Sequence, residues 1–234
     1  PKNTLLSKLI YKKRKIATVS EAIKNSIVAK NLSNKVQNLF QPFDIKAIEY
    51  LKEAFISETN YILAVGSMDN DVKQIDKLIL AYSESNLPKQ NIKLIVLGEG
   101  KNKRDYLKLV ENLNLSQKVV FKGIVQNPFP YYRNALYYVL SSKNEGLSNA
   151  IVESLACATP VVAFDCFSGP REIITNGHNG ILVENQNFEK LTEAMNQMIS
   201  DNELYQNLKK NAVGSIGKFS IDLIGKQWVE FIQS

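Results

Sequence analysis

Residues 142–153 read SKNEGLSNAIVE and follow an apolar, aromatic run at residues 135–140 that is typical of a buried strand. They lead into a helical pattern at residues 150–157. Small and polar residues between Glu145 and Glu153 can present backbone N–H groups at the helix start, where the helix dipole favours an anion. The two flanking carboxylates can accept hydrogen bonds from the hydroxyl groups of a sugar or a ribose. The segment therefore predicts a phosphate- or sugar-binding turn after a strand.

Apolar runs that are typical of strands alternate with helical patterns along the rest of the chain. Strands are predicted at residues 15–20, 35–40, 62–65, 92–97, 119–121, 136–140, 160–164 and 181–183. Helices are predicted at residues 21–30, 75–85, 104–113, 129–134, 150–157, 170–175, 188–199, 203–213 and 221–232. Because strands separated by helices pair in parallel, this order predicts an α/β fold with a doubly wound parallel sheet, whose ligand lies at the carboxyl ends of the strands.

The composition is that of an ordinary globular protein, with 44% hydrophobic and 22% charged residues among 234. No apolar run reaches the length of ~18 residues that a transmembrane helix needs, and the interrupted basic start does not fit a signal peptide. Cys157 and Cys166 lie in apolar surroundings and are predicted to be buried free thiols of a cytosolic protein. A single histidine, His178, predicts no structural zinc site and is expected to be exposed.

The net charge of +6 leaves three interpretations open. Much of the positive charge lies at residues 12–15, without the aromatic pattern or groove-reading motif of a nucleic-acid binder. An anionic membrane surface is a second candidate partner. The favoured interpretation is a solvated helix end. Gly98-Glu99-Gly100 lacks the third glycine of a dinucleotide fingerprint and is predicted to be a tight turn.

The spacing Glu145-x7-Glu153, within EGLSNAIVES, resembles the EX7E motif of retaining glycosyltransferases of the two-domain GT-B fold. The resemblance is greatest to the family 4 enzymes that build bacterial polysaccharides and glycolipids. Further segments follow in that family's order between residues 61 and 183, namely VGS with a later lysine, FKGIV, TPVVAFD, SGPREII and NGILV. The resemblance implies a Rossmann-like domain, the C-terminal half of a GT-B fold.

The resemblance also implies a division of the chain into three parts. Residues 1–41 would be a remnant of the N-terminal, acceptor-side domain with the linker, and residues 42–218 the donor-binding domain. Residues 219–234 would form a helix that crosses back toward the first domain, with Trp228 either packed on residues 11–30 of the remnant or exposed. Most of an acceptor-binding half is then expected to be missing.

The resemblance assigns roles to individual residues. Lys73 would reach the donor diphosphate and Glu145 the donor sugar, and these two are predicted to be catalytic. Glu153 would contact the ribose. The remaining donor and nucleotide contacts would come from Gly66, Ser67, Gly123, Val125, Asn127, Gly146, Leu147 and Ser148.

Two residues depart from the family's pattern. Ser67 stands where the family has an arginine that binds the diphosphate, and Gln74 replaces the usual glycine. Loss of a planar cation weakens stabilisation of a leaving diphosphate. Arg171 is one candidate to replace it.

The leading hypothesis is the donor-binding part of a retaining hexosyltransferase that uses a nucleotide-diphosphate sugar, UDP-linked, and a glycan or lipid-linked acceptor. No cofactor and no metal are predicted, because cations and helix dipoles can stabilise the leaving diphosphate without one. A cytoplasmic location is expected, with a peripheral position on the inner membrane face as an alternative. A truncated or degenerate non-catalytic module is the second hypothesis. A sugar-nucleotide epimerase is disfavoured because the chain has a single histidine for acid–base chemistry, and a nucleic-acid partner has only charge in its favour.

Overall fold

The computed structural model describes residues 10–12, 14–33 and 35–234. Lys13, a member of the basic cluster near the N-terminus, and residues 1–9 lie outside that range. The described members of the cluster, Lys12, Arg14 and Lys15, are exposed, as expected for a solvated segment. No helix among the described residues is long and apolar enough to cross a membrane.

The N-terminal part is a small β-α-β unit. It consists of β1 (Ile16–Thr18), α1 (Glu21–Ala29) and β2 (Val36–Asn38), and the two strands pair in parallel. Ser20 is the N-cap of α1 and accepts a hydrogen bond from the Ile23 N–H, as its residue type favours.

A short helix that the apolar periodicity did not indicate follows this unit. It is α2 (Ile45–Leu51), and Asp44 caps its start by accepting a hydrogen bond from the Ala47 N–H at 2.9 Å. The aspartate after the Gln41-Pro42-Phe43 segment was the available signal for this helix start.

The largest element is a six-stranded, wholly parallel sheet. Its strands are β3 (Tyr61–Val65), β4 (Lys93–Leu97), β5 (Val119–Gly123), β6 (Tyr138–Leu140), β7 (Val161–Phe164) and β8 (Gly180–Val183). They lie in the order β5-β4-β3-β6-β7-β8. The chain therefore builds outward from β3 in one direction and then returns to β3's other side. This reversal is the switch point at which doubly wound sheets bind ligands.

Helices cover both faces of this sheet, which explains why its strands are apolar without alternation. They are α3 (Ile75–Glu84), α4 (Lys103–Asn112), α5 (Phe129–Asn134), α6 (Asn149–Ala156), α7 (Pro170–Ile173), α8 (Phe188–Ser200), α9 (Asn202–Ala212) and α10 (Ile221–Gln233). Short 3₁₀ turns occur at Pro88–Gln90 and Val213–Phe219. One core contains α3, α4, α8 and α9, and the other contains α2, α5, α6 and α7. The predicted α/β fold is thus confirmed.

Helix α10 returns to the N-terminal unit. The Trp228 indole N–H donates to the carbonyl of Phe40 at 3.0 Å, and the Phe40 ring packs edge-to-face on Phe219. Lys15 Nζ lies 2.9 Å from Ser234 Oγ at the far end of the helix. The Trp228 side chain is therefore half-buried rather than exposed, and its hydrogen-bond partner lies in the linker, outside the residues 11–30 on which packing was predicted.

The two glycines after β4 serve a turn. Gly98 has φ +130°, and a Cβ added there would lie 2.0 Å from the Gly66 carbonyl oxygen. At Gly100, with φ +156°, an added Cβ would lie 2.3 Å from the carbonyl carbon of Met68. The turn after β4 therefore packs directly on the turn after β3, and this close approach of the two backbones requires glycine at both positions.

Both cysteines are free and buried. Burial raises the pKa of the Cys157 thiol to about 12 and that of Cys166 to about 11. His178 is exposed. These three side chains are placed as the sequence indicated.

Candidate functional site

An open cleft of about 490 Å³ lies at the switch point, at the carboxyl ends of β3 and β6. Its walls come from the turn after β3, from the turn after β6 and from the start of α6. Val19 and Gln41 of the N-terminal part complete the lining. A cleft with these walls brings together segments that lie more than seventy positions apart in sequence, because the strands that precede them are neighbours in the sheet.

The turn after β3 begins at Gly66 and ends at the start of α3. A Cβ added at Gly66 would lie 2.8 Å from Lys73 Cγ, so the glycine leaves room for the lysine side chain to cross the turn. Gln74 is buried and adopts the left-handed conformation, with φ 50° and ψ 44°. Glycine adopts this conformation without strain, which accounts for the family's usual residue at this position.

Lys73 crosses the cleft to Glu145. The Lys73 ammonium lies 2.7 Å from a carboxylate oxygen of Glu145, and the two side chains are 23% and 10% exposed. The Ser141 hydroxyl donates to the Lys73 carbonyl at 2.7 Å, and the Lys143 N–H donates to the Val72 carbonyl at 2.8 Å. One side-chain bond and one backbone bond thus join the two turns beside the ion pair, which fixes where the two charges meet.

The turn between Glu145 and α6 presents backbone to the cleft. Ser148 adopts φ 72° and ψ 78°, and its hydroxyl is buried without a hydrogen-bond partner. Helix α6 begins at Asn149 without a side-chain cap. A helix start of this kind offers N–H donors and a positive dipole end to an anion.

The loop after β7 supports that turn from behind. Gly169 has φ +93°, and an added Cβ would lie 2.6 Å from the Leu147 carbonyl oxygen. The Ser168 hydroxyl donates to the Gly146 carbonyl at 2.6 Å and lies equally close to the Ser20 hydroxyl. The cleft turn is therefore tied both to β7 and to the N-terminal unit.

Glu153 lies on α6 and also lines the cleft. The Tyr132 hydroxyl donates to Glu153 Oε2 at 3.0 Å. Burial raises the pKa of the Glu153 carboxyl above its usual range, and the Tyr132 hydrogen bond acts in the opposite direction. Burial also holds the pKa of the Tyr132 phenol well above its usual range, so Tyr132 remains a donor.

Most of the residues singled out from the sequence meet in this cleft. Seven of them line it, namely Gly66, Lys73, Glu145, Gly146, Leu147, Ser148 and Glu153. Sequence reasoning missed Val19, Gln41, Val65, Asn149 and Ala150 as lining residues, and it missed the bond between Tyr132 and Glu153. Val65 precedes a predicted site residue, and Asn149 and Ala150 lie inside the motif, so these three could have been included, whereas the others carry no local signal.

Four of the predicted contacts lie outside the cleft lining. The Ser67 hydroxyl donates to Asp69 at 2.9 Å and is exposed. Asn127 bonds the Leu51 carbonyl and the Phe129 N–H. Gly123 ends β5 with φ +76°, and Val125 packs against the core beside α2 and α5. The nucleotide contacts predicted for these four residues stay predictions.

Arg171, the candidate to replace the missing arginine, is paired with Asp165. Its Nε donates to Asp165 Oδ1 at 2.7 Å, its second nitrogen bonds the other carboxylate oxygen, and it lies outside the cleft lining. In the part of the chain that the structure describes, Lys73 is the only cationic residue that lines the cleft. The same residues contain no group of three or more His, Cys, Asp or Glu side chains that could hold a metal ion.

Comparison with known proteins identifies relatives over most of the chain. Residues 46–214 match the sequence model of the family described as glycosyl transferases group 1. A Campylobacter jejuni N-acetylgalactosamine-N,N'-diacetylbacillosaminyl-diphospho-undecaprenol 4-alpha-N-acetylgalactosaminyltransferase is 31% identical over 94% of this chain and 61% of its own length. The amylovoran biosynthesis glycosyltransferase AmsD of Erwinia amylovora is 28% identical over 92% of this chain and 58% of its own. The chain thus spans less than two thirds of the length of these relatives.

Solved structures share the fold. Staphylococcus aureus TarM, as a mutant in complex with fondaparinux, alpha-GlcNAc-glycerol and UDP, superposes with a TM-score of 0.82 at 23% identity, over 93% of this chain and 43% of that one. Anabaena HepE in complex with UDP gives a TM-score of 0.80 at 20% identity, over 93% of this chain and 63% of the other. The six-stranded sheet and its helices are therefore the Rossmann-like half of a GT-B architecture. With its cleft at the switch point and a family match over more than half of its length, the chain belongs to group 1 of the glycosyl transferases.

Proposed function

We propose that this chain is the donor-binding part of a retaining glycosyltransferase that moves a hexose from a UDP-linked donor to a glycan or lipid-linked acceptor. One observation carries the proposal. Lys73, Glu145, Glu153 and the start of α6 converge on a single cleft at the switch point. The names of the C. jejuni and E. amylovora relatives, and the UDP complexes of TarM and HepE, support this class of donor and product.

The arrangement suits a reaction that depends on positioning and charge. Lys73 and the N–H groups at the start of α6 would stabilise the diphosphate as its bond to the sugar breaks. Glu145 would accept a hydrogen bond from the donor sugar and Glu153 one from the ribose. Because the acceptor hydroxyl must attack from the face that the diphosphate leaves, alignment of the two substrates supplies much of the rate.

The same proposal divides the chain by role. Residues 42–218 would bind the donor, residues 1–41 would belong to the acceptor side, and residues 219–234 would cross back between them. The acceptor would bind mainly to protein outside this sequence. A cytoplasmic position near a membrane surface, where lipid-linked acceptors occur, stays a prediction of the family resemblance.

A non-catalytic nucleotide-sugar module is the second candidate. The observation in its favour is that, among the described residues, Lys73 alone brings a positive charge to the cleft lining, since Ser67 bonds Asp69 and Arg171 bonds Asp165. A diphosphate leaving group without a second cation is less stabilised, so donor binding without transfer would result.

Calorimetric titration with UDP, GDP and ADP tests the proposal. We expect selective binding of UDP, weakened in Glu153→Ala and retained in Glu184→Ala, a matched control whose carboxylate pairs with Lys190 away from the cleft. Binding of none of the three nucleotides would overturn the proposed site. Release of hexose from UDP-hexoses, measured on the same samples, then separates the enzyme from the non-catalytic module.

A further inference from the structure

Tyr132 is held in place at both ends. The residue is fully buried, its ring packs edge-to-face on Tyr138 with centroids 5.7 Å apart, and its carbonyl accepts a hydrogen bond from the Thr159 hydroxyl at 2.6 Å. The only polar atom of the side chain is the phenol oxygen, which bonds Glu153 at 3.0 Å. The phenol is therefore a fixed donor aimed at one carboxylate oxygen.

Glu153 connects the protein interior with the cleft. One carboxylate oxygen, Oε2, meets the buried phenol, and the residue itself lines the cleft. A carboxylate held by one oxygen has its other oxygen left to accept a bond from a ligand. The titratable groups around it are Tyr132 on α5, Tyr138 on β6, Cys157 at the end of α6, and Lys73 with Glu145 in the cleft.

We propose that Tyr132 is a positioning residue of the donor site, whose phenol fixes Glu153 so that the free carboxylate oxygen accepts a hydrogen bond from a hydroxyl group of the nucleotide ribose. This inference rests on the proposed function and adds a residue that neither the motif nor the cleft lining contains. The bond also opposes the effect of burial on the carboxyl pKa, so it favours the charged form of Glu153, which accepts the hydroxyl more strongly.

Tyr132→Phe removes the phenol oxygen and keeps the ring. Oε2 is then left without its donor, and the carboxyl gains protons at a higher pH than in the parent protein. Tyr137→Phe is the matched control, because Tyr137 is equally buried, lies on the adjacent segment and donates to the Met195 carbonyl at 2.9 Å on the other side of the sheet.

The readout is calorimetric binding of UDP and of 2′,3′-dideoxy-UDP from acidic to neutral pH. In Tyr132→Phe we expect UDP affinity to fall about tenfold, and the pH at which affinity is lost on acidification to move upward. Tyr137→Phe should show neither change, and the dideoxy nucleotide should bind all three proteins alike. The terminal phosphate titrates in the same way in every sample, so differences between the variants report Glu153.

A ¹³C NMR titration of the Glu153 carboxyl, identified by its absence in Glu153→Gln, separates the possible failures. Unchanged carboxyl midpoint and UDP affinity in Tyr132→Phe would overturn the role of Tyr132 and leave the proposed function intact. A midpoint that moves upward in a protein that binds no UDP would overturn the proposed function instead. If Tyr132→Phe does not fold, difluorotyrosine at position 132 keeps the ring and strengthens the donor, and the expected shifts in affinity and midpoint reverse.

Discussion

Glu145 and Glu153 line the same cleft, but the protein surrounds their carboxylates in different ways. Glu145 lies on a turn and faces Lys73, which lies on the turn after the neighbouring strand β3, at 2.7 Å. Glu153 lies on a helix, away from that lysine, and has a neutral phenol as its partner at 3.0 Å. One carboxylate is compensated by a full positive charge and the other by a dipole.

The difference indicates which of the two carboxylates can lose its partner to a ligand. A diphosphate can compete with Glu145 for the Lys73 ammonium, because both are anions and the pair is partly solvated. A fixed phenol offers no such competition, since it is neutral and buried. We therefore expect the Lys73–Glu145 side to respond to the charge of the ligand and the Glu153 side to respond to its hydroxyl groups.

The largest effect is expected from Gly169→Ala, which disturbs the turn between the two carboxylates. The added Cβ would lie 2.6 Å from the Leu147 carbonyl oxygen, and such a clash together with a positive φ costs about 3 kcal/mol of unfolding free energy. The control is Gly177→Ala, which has φ +75° and no atom within 4 Å, so only about 1 kcal/mol is expected. Denaturant unfolding measures both, and equal losses would show that the turn is not braced as described.

Lys73→Ala removes the positive charge that pairs with Glu145. We expect the affinity for UDP to fall by about 10- to 100-fold, since charge-assisted hydrogen bonds to the diphosphate are lost and Glu145 is left unpaired. Lys143→Ala is the matched control, because Lys143 pairs with the exposed Asp71 and lies outside the cleft lining. Calorimetry compares the two, and similar affinities would remove Lys73 from the diphosphate site.

Glu153→Gln tests the surroundings of the more buried carboxylate through the free energy of unfolding. Burial raises the pKa of folded Glu153 above the ordinary 4.5, so the folded protein binds this proton more tightly than the unfolded chain. Its contribution to stability is therefore greatest below the unfolded pKa and declines as pH rises through the folded value. We expect Glu153→Gln to be more stable than the parent at neutral pH by about 1 kcal/mol, with the difference vanishing on acidification.

For Glu58→Gln we expect the stability difference from the parent protein to change with pH in the opposite direction. The bond from Lys122 lowers the pKa of Glu58, so its contribution is present above the ordinary value and is lost as pH falls. Thermal unfolding across pH measures both variants. The same pH dependence in the two would contradict the assignment of a raised pKa to Glu153.

The smallest effect is expected from Ser67→Arg, which restores the family's second cation. Ser67 is exposed and bonded to Asp69, so we expect UDP affinity to rise by no more than about fivefold, in line with the small contribution of exposed ion pairs. Calorimetry measures the affinity, and release of hexose from UDP-hexose measures any gain in transfer. A decrease in both would show that the turn after β3 is not oriented toward the diphosphate.

The order of strands and helices was predictable because each element has a hydrophobic pattern of its own in the sequence. Apolar strands such as β7 are buried on both faces, and helices such as α8 keep an apolar stripe, so each can be found from its own residues. Helix α2 was not predicted because it is short and only Asp44 marked its start. Gly98 and Gly100 were correctly read as turn residues, although their contact with the turn after β3 was not visible.

By itself, the sequence determined the doubly wound sheet and the turn from Glu145 to Glu153, because strand and helix periodicity and a contiguous motif are properties of neighbouring residues. Tertiary structure alone decided that Lys73 meets Glu145 and that Tyr132 bonds Glu153. These contacts depend on which strands are adjacent at the switch point and on which helices cover them. Distances between segments far apart in the chain follow from packing, and no local pattern encodes them.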